Sequence, residues 1–185
     1  GARASGEGRL MRRGATLAAA ALLCGCAFTS ERPLFAGADG RALFADGAQF
    51  EWRENGSEAD KRTVVMRRRG EKYDIEMIGE DQPLRGAVFV PITSTPQDDF
   101  IVQLHITAET EAPAYAFMWA IAGGYRVVGA PGVVDETPEG ERALAAECAA
   151  RPNSECQVTS AGALERIYRA GLYSRFVAGA ETPGD

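Results

Sequence analysis

Histidine is almost absent from this chain of 185 residues: there is one, His105. Any Ser-His-Asp or Cys-His arrangement would have to use it. It stands mid-strand between Leu104 and Ile106, with Gln103 and Thr107 as its same-face neighbours and no acid among them. Catalytic histidines favour loops and strand ends. His105 therefore reads as structural, with a hydrolase built on it as a minor alternative. Basic charge is scarce too, with 20 Lys and Arg against 26 Asp and Glu. An acidic body repels nucleic acid and anionic headgroups, so no nucleic-acid partner is expected. Long apolar runs are missing. The stretch from Ala15 to Leu23 falls far short of the roughly 20 residues a membrane-spanning helix needs. No nucleotide-binding, zinc-protease or hydrolase-elbow signature occurs. No cofactor or metal site is expected, and the chain reads as non-enzymatic.

The amino-terminal region carries the most specific pattern. Met11-Arg12-Arg13-Gly14 precedes the short apolar stretch, and small residues follow it. This is the three-part layout of a secretory signal peptide. Leu23-Cys24-Gly25-Cys26 resembles the bacterial lipobox, in which a branched apolar residue and two small ones precede an obligatory cysteine. The resemblance implies a diacylglycerol on the Cys26 sulfur, cleavage after Gly25 and acylation of the new amino group. Two or three acyl chains hold a protein stably to a bilayer where one holds it marginally. The alternative is a plain cleaved signal with a chance cysteine. Ala27 follows the cysteine, and by analogy with enteric bacteria this favours the outer membrane, facing the periplasm. Met11 is the expected start, with residues 1–10 as an upstream extension. Removal of Arg3, Arg9, Arg12, Arg13 and Glu7 takes the formal net charge from −6 to −9.

Cys148 and Cys156 remain after processing, on either side of a polar turn with Pro152 and Asn153. In an oxidising compartment such a pair reads as a disulfide. Two free thiols are the alternative. The spacing is too wide for a Cys-x-x-Cys redox pair.

Residues 26–47 hold Pro33, Gly37, Gly40 and Gly47 and read as a lipidated tether, with Leu34, Phe35, Leu43 and Phe44 able to pack on the domain. Residues 48–178 read as one β-rich domain and 179–185 as a loose tail. Period-two alternation predicts strands over 48–53, 62–69, 72–79, 84–92, 99–107, 114–122 and 125–129. Gly70-Glu71 suits a two-residue hairpin turn with glycine first. That turn sets Val64 opposite Met77, Met66 opposite Ile75 and Arg67 opposite Asp74, so both strands agree on their buried face. It also gives the basic triplet Arg67-Arg68-Arg69 a structural place at a hairpin end. The strand 114–122 is apolar on both faces, Tyr115, Phe117, Trp119 and Ile121 against Ala116, Met118 and Ala120, so it must be covered on both. Thr137-Pro138 opens one helix. Ser160 caps a second over 161–173, whose stripe Leu164, Ile167, Tyr168, Gly171 and Leu172 is suited to the outer face of strand 114–122.

The expected fold class is mainly β with C-terminal α (α+β). It is an antiparallel meander of about seven or eight strands, curled or closed like a barrel, with one or two C-terminal helices packed on it. Asp98-Asp99, Glu109 and Glu111 read as turn and solvation residues, Gly123-Gly124 as a hairpin turn and Asn55-Gly56-Ser57 as a turn. Trp52, Tyr115, Phe117, Trp119 and Tyr125 could line an apolar cavity if the meander closes; otherwise they fill the core. The layout as a whole resembles small proteobacterial lipoproteins of unassigned function, which implies no site residues. Two functions stay open: a membrane-tethered module that contacts another envelope protein, and a lipocalin-like carrier of a small apolar ligand.

Overall fold

A computed structural model describes residues 28–53, 61–80, 83–95, 97–105, 112–121, 123–129, 131–150 and 156–173, with the backbone of 16–20. The chain is mainly β with C-terminal helices. In chain order the strands are β1 (Thr16–Ala20), β2 (Phe28–Thr29), β3 (Ala48–Arg53), β4 (Lys61–Arg69), β5 (Lys72–Met77), β6 (Leu84–Pro91), β7 (Asp99–His105), β8 (Ala114–Ile121) and β9 (Gly124–Val128). Helices α1 (Pro131–Val134) and α2 (Pro138–Glu147) come next, then the two-residue strands β10 (Ala149–Ala150) and β11 (Cys156–Gln157), and last α3 (Ala161–Tyr168). A single π-helical turn, Arg169–Tyr173, extends α3.

Strands β3 to β9 form an antiparallel meander, each pairing with the next. The β4–β5 hairpin has the register its sequence predicts: Val64 opposite Met77, Met66 opposite Ile75, Arg67 opposite Asp74. Gly70 takes φ +65°, as the first position of a primed hairpin turn demands. On the solvent face the ion pairs run diagonally. Arg67 bonds Glu76 at 3.0 Å and Arg69 bonds Asp74 at 3.2 Å, so Arg67 faces Asp74 across the ladder without bonding it.

An extra residue in β6 bends the sheet. Arg85 pairs with His105 and Val88 with Gln103, three residues against two, and β5 pairs across the same stretch of β6 with the same excess. Gly86 sits in this bulge at φ +65°, where a Cβ would be strained.

The curled sheet has two apolar faces. Inside lie Phe44, Val64, Met66, Tyr73, Phe89 and Met118, among others. Outside, Tyr115, Phe117 and Trp119 of β8 pack beneath Leu164, Ile167, Tyr168 and Leu172, as the two-sided apolar pattern of β8 requires. Phe117 and Tyr168 stack at 5.2 Å between centroids. Both helix starts are capped: Gly140 N donates to Thr137 Oγ1 at 3.0 Å and Ala163 N to Ser160 Oγ at 3.2 Å. The helical layer is tight. A Cβ on Gly140 would lie 1.8 Å from the Val134 carbonyl oxygen, and one on Gly171 would lie 2.3 Å from Val134 Cγ1.

An ion pair ties α2 to α3: Arg166 bonds both carboxylate oxygens of Glu147, at 2.5 and 2.9 Å. The Arg166 hydrogen bond, ahead of its charge, holds the Glu147 carboxyl below the usual range. A lowered carboxylate stabilises the fold above its unfolded value of about 4.3 and loses that contribution as pH falls through the lowered one. Glu147→Gln should therefore lower the neutral plateau of the melting temperature slightly and leave the acid end unchanged, so that the acid limb becomes shallower.

Candidate functional site

Cys26 and the rest of the lipobox lie outside the described residues. Phe28 is fully buried and pairs in β2 with Tyr115 on one side and Cys156 on the other. Residues 28–47, expected to be a tether, are packed on the sheet. Ser30 is 3% exposed and Phe44 7%. Arg41 N donates to Phe89 O and Gly47 N to Met66 O, each at 2.8 Å. The physical cause is composition: Phe28, Leu34, Phe35 and Phe44 are too apolar to leave in water, and both faces of the sheet offer them sites. One residue, Ala27, separates Cys26 from the buried Phe28.

Gln103 fastens this segment. Its Oε1 accepts from the amides of Leu34 (2.9 Å) and Phe35 (3.0 Å), and its Nε2 donates to Phe35 O at 2.9 Å. Tyr115 joins it. Its hydroxyl lies 2.7 Å from Ser30 Oγ and accepts from Leu34 N at 3.1 Å. Burial pushes the Tyr115 hydroxyl up in pKa, partly offset by those bonds. Gln103 looks in the sequence like a polar residue on a solvated face. Its burial (2% exposed) becomes legible only when residues 28–35 are known to cover it.

The five aromatics picked out as cavity candidates do not come together. Trp52 and Tyr125 pack against the inner cluster, whereas Tyr115, Phe117 and Trp119 belong to the outer one under α3. The division follows the pleat. Residues 115, 117 and 119 share the face of β8 opposite Ala116 and Met118. The residue that closes the interior is Phe44. Its ring meets Phe50, Tyr73, Phe89 and Tyr125 edge-on, with centroids 4.9 to 6.1 Å apart. Tyr73 Oη donates to Phe44 O at 2.8 Å and accepts from Phe44 N at 3.2 Å, which locks the plug in place. The hollow left inside has about 30 Å³, lined by Phe44, Trp52, Met66, Phe89, Met118 and Val127 among others. That is room for about one water, and the lining gives a water no partner.

Groups that could do chemistry are dispersed. His105 ends β7 opposite Arg85. Asp98 and Asp99 part company. Asp98 is exposed and bonds Arg41 at 3.3 Å, but Asp99 is 4% exposed and accepts from Thr95 Oγ1 at 3.0 Å. Burial, and then the nearby Asp99 carboxylate, push the Tyr168 hydroxyl well above its ordinary range, so it stays neutral. Asp99 was expected in solvent. The helical layer over β7 and β8 encloses it instead. Glu109, Glu111 and Asn55-Gly56-Ser57 lie outside the described residues. Among the described residues, no three of His, Cys, Asp and Glu cluster as metal ligands would. None of their helices is long and apolar enough to cross a membrane.

Cys148 and Cys156 are joined, with Cα atoms 4.9 Å apart. The bridge links the end of α2 to β11, and so to β2 at the start of the packed segment. Closing so short a loop contributes about 2–3 kcal/mol in the chain-entropy picture. Cys148→Ser with Cys156→Ser should lower stability by that amount in a denaturant titration, with the β-sheet spectrum retained.

An open hollow of about 370 Å³ lies between residues 30–34 and 157–159. Among the described residues, Ile78, 62% exposed, is the large hydrophobic side chain in solvent, too little for an apolar docking patch. No family model matches the chain, and neither a curated protein nor a solved structure matches it.

Proposed function

We propose that this chain is the precursor of a membrane-anchored envelope lipoprotein, cut before Cys26, whose β-rich body is a non-enzymatic module that contacts another envelope protein. The observation that carries the reading is the junction. Leu23-Cys24-Gly25-Cys26 ends two residues before Phe28, which is fully buried. Cleavage there would take β1 from between β3 and β9, keep Phe28 and the residues after it, and put the acyl chains directly against the folded body. Such an anchor holds the module close to the bilayer surface and limits its reach to partners there. Ala27 supports an outer-membrane address facing the periplasm.

The near-solid interior favours this reading over a carrier of apolar ligands, whose pockets run to about 300 Å³ or more. The dispersal of His105, Asp99 and the other titratable groups favours it over a hydrolase. The test is metabolic labelling with a fatty-acid analogue. The wild-type chain should take the label and fractionate with membranes. Cys26→Ser should take none and accumulate as uncleaved precursor. A labelled Cys26→Ser chain would count against Cys26 as the anchor.

A further inference from the structure

The meander has an odd number of strands, β3 to β9, and its two edges do not pair with each other. They face one another across a gap one strand wide. Residues 16–20 fill it: Thr16 to Ala20 pair in parallel with all five residues of β9, and Thr16 and Leu17 with Glu51 and Trp52 of β3. These residues belong to the segment that the proposed cleavage removes. We infer that in the mature protein this gap between β3 and β9 is the partner site, and that it takes an extended strand from another protein, parallel to both edges and apolar at alternate positions. The inference rests on the processing proposed above.

Three features argue that the gap stays open for a guest. With seven strands, β3 and β9 run the same way, so direct closure would need a parallel pair. Closure would also shrink the girth by one strand. The interior has no slack for that, because Phe44 and its neighbours already fill it down to about 30 Å³. Neither edge is blunted by a proline or an inward-facing charge, the usual protections. Moreover, the described residues leave Ile78 as the large hydrophobic side chain in solvent, which offers no alternative apolar docking face.

The register states what the guest must be. Trp52, Tyr125 and Val127 belong to the inner cluster. A guest residue level with Trp52 and Tyr125, and the one two places on, level with Val127, therefore face an apolar interior. In this chain those levels are held by positions 17 and 19, leucine and alanine. The alternate positions lie level with Glu51 and Arg126, where polar residues are acceptable. This is strand addition with pockets for every second side chain.

The test uses mature protein purified in detergent from cells that express the whole precursor. Its probe is the peptide Thr-Leu-Ala-Ala-Ala carrying lysine tails. Amide hydrogen exchange is followed over Gln49–Arg53 and Gly124–Val128. Within them, the amides that do not bond β4 or β8 should exchange fast alone and at least tenfold more slowly with the peptide, while a peptide with lysine at its second and fourth positions protects nothing. Protection of those amides without any peptide, or none with it, overturns the inference. The intact mass of the same sample reports the processing separately. A chain that still holds residues 16–20 contradicts the cleavage. Leu17→Lys, which expels that strand, then carries the same exchange test.

Discussion

Val64→Asp should remove most of the domain's stability. Val64 is 1% exposed and lies between Phe50 of β3 and Met77 of β5 in the inner cluster. A carboxylate there has no partner, and even when it takes up a proton it leaves polar oxygens in an apolar layer. The expected loss is about 4 kcal/mol, against a total of about 5–15 kcal/mol for a domain of this kind. Arg67→Ala, three residues along on the solvent face, removes an exposed ion pair with Glu76 and should cost less than about 1 kcal/mol. The contrast tests the register, because a slip of one residue would exchange the faces. Equal denaturation midpoints for the two variants would refute the β4–β5 pairing.

Phe44→Ala should be nearly as damaging, with an additional consequence. Phenylalanine-to-alanine changes in packed cores cost about 3–5 kcal/mol. Phe44 has four aromatic neighbours and the backbone clamp from Tyr73. Its loss adds the volume of a phenyl ring to an apolar hollow that is already present. Cavities of that kind stay dry and accept benzene. The variant should therefore melt lower and regain part of the loss when benzene is added, whereas the wild type should not respond. A variant that melts like the wild type would mean that Phe44 does not plug the interior. With the expected result, the difference between a filled sheet and a ligand-holding one rests on one side chain, contributed by the segment before the meander.

That segment also marks the boundary of what the sequence reveals. The β4–β5 register was legible because the turn Gly70-Glu71 brings Val64 and Met66 of one strand to the same face as Ile75 and Met77 of the other. The cover over β8 was legible because Tyr115, Phe117 and Trp119 alternate with Ala116 and Met118, leaving no solvent face. Thr137-Pro138 and Ser160 marked helix starts through local chemistry that needs no tertiary partner. By contrast, residues 28–47 have glycines and a proline at irregular spacing, and no period shows that Phe28 and Phe44 go to opposite sides of the sheet. Gln103, Asp99 and the division of the five aromatics depend on where that segment and α3 lie. The β6 bulge had a signal, Gly86 within a strand pattern, but a lone glycine does not say which neighbour gains the extra residue. The gap between β3 and β9 follows from strand count and interior volume together, which no local window contains.

The most direct measurement is the mass and sequence of the amino-terminal peptide of the mature protein. Fat on one thiol, two residues ahead of the buried Phe28, predicts a peptide that begins at Cys26 and carries a diacylglyceryl group. A peptide that begins elsewhere, with an unmodified cysteine or none, would contradict the account.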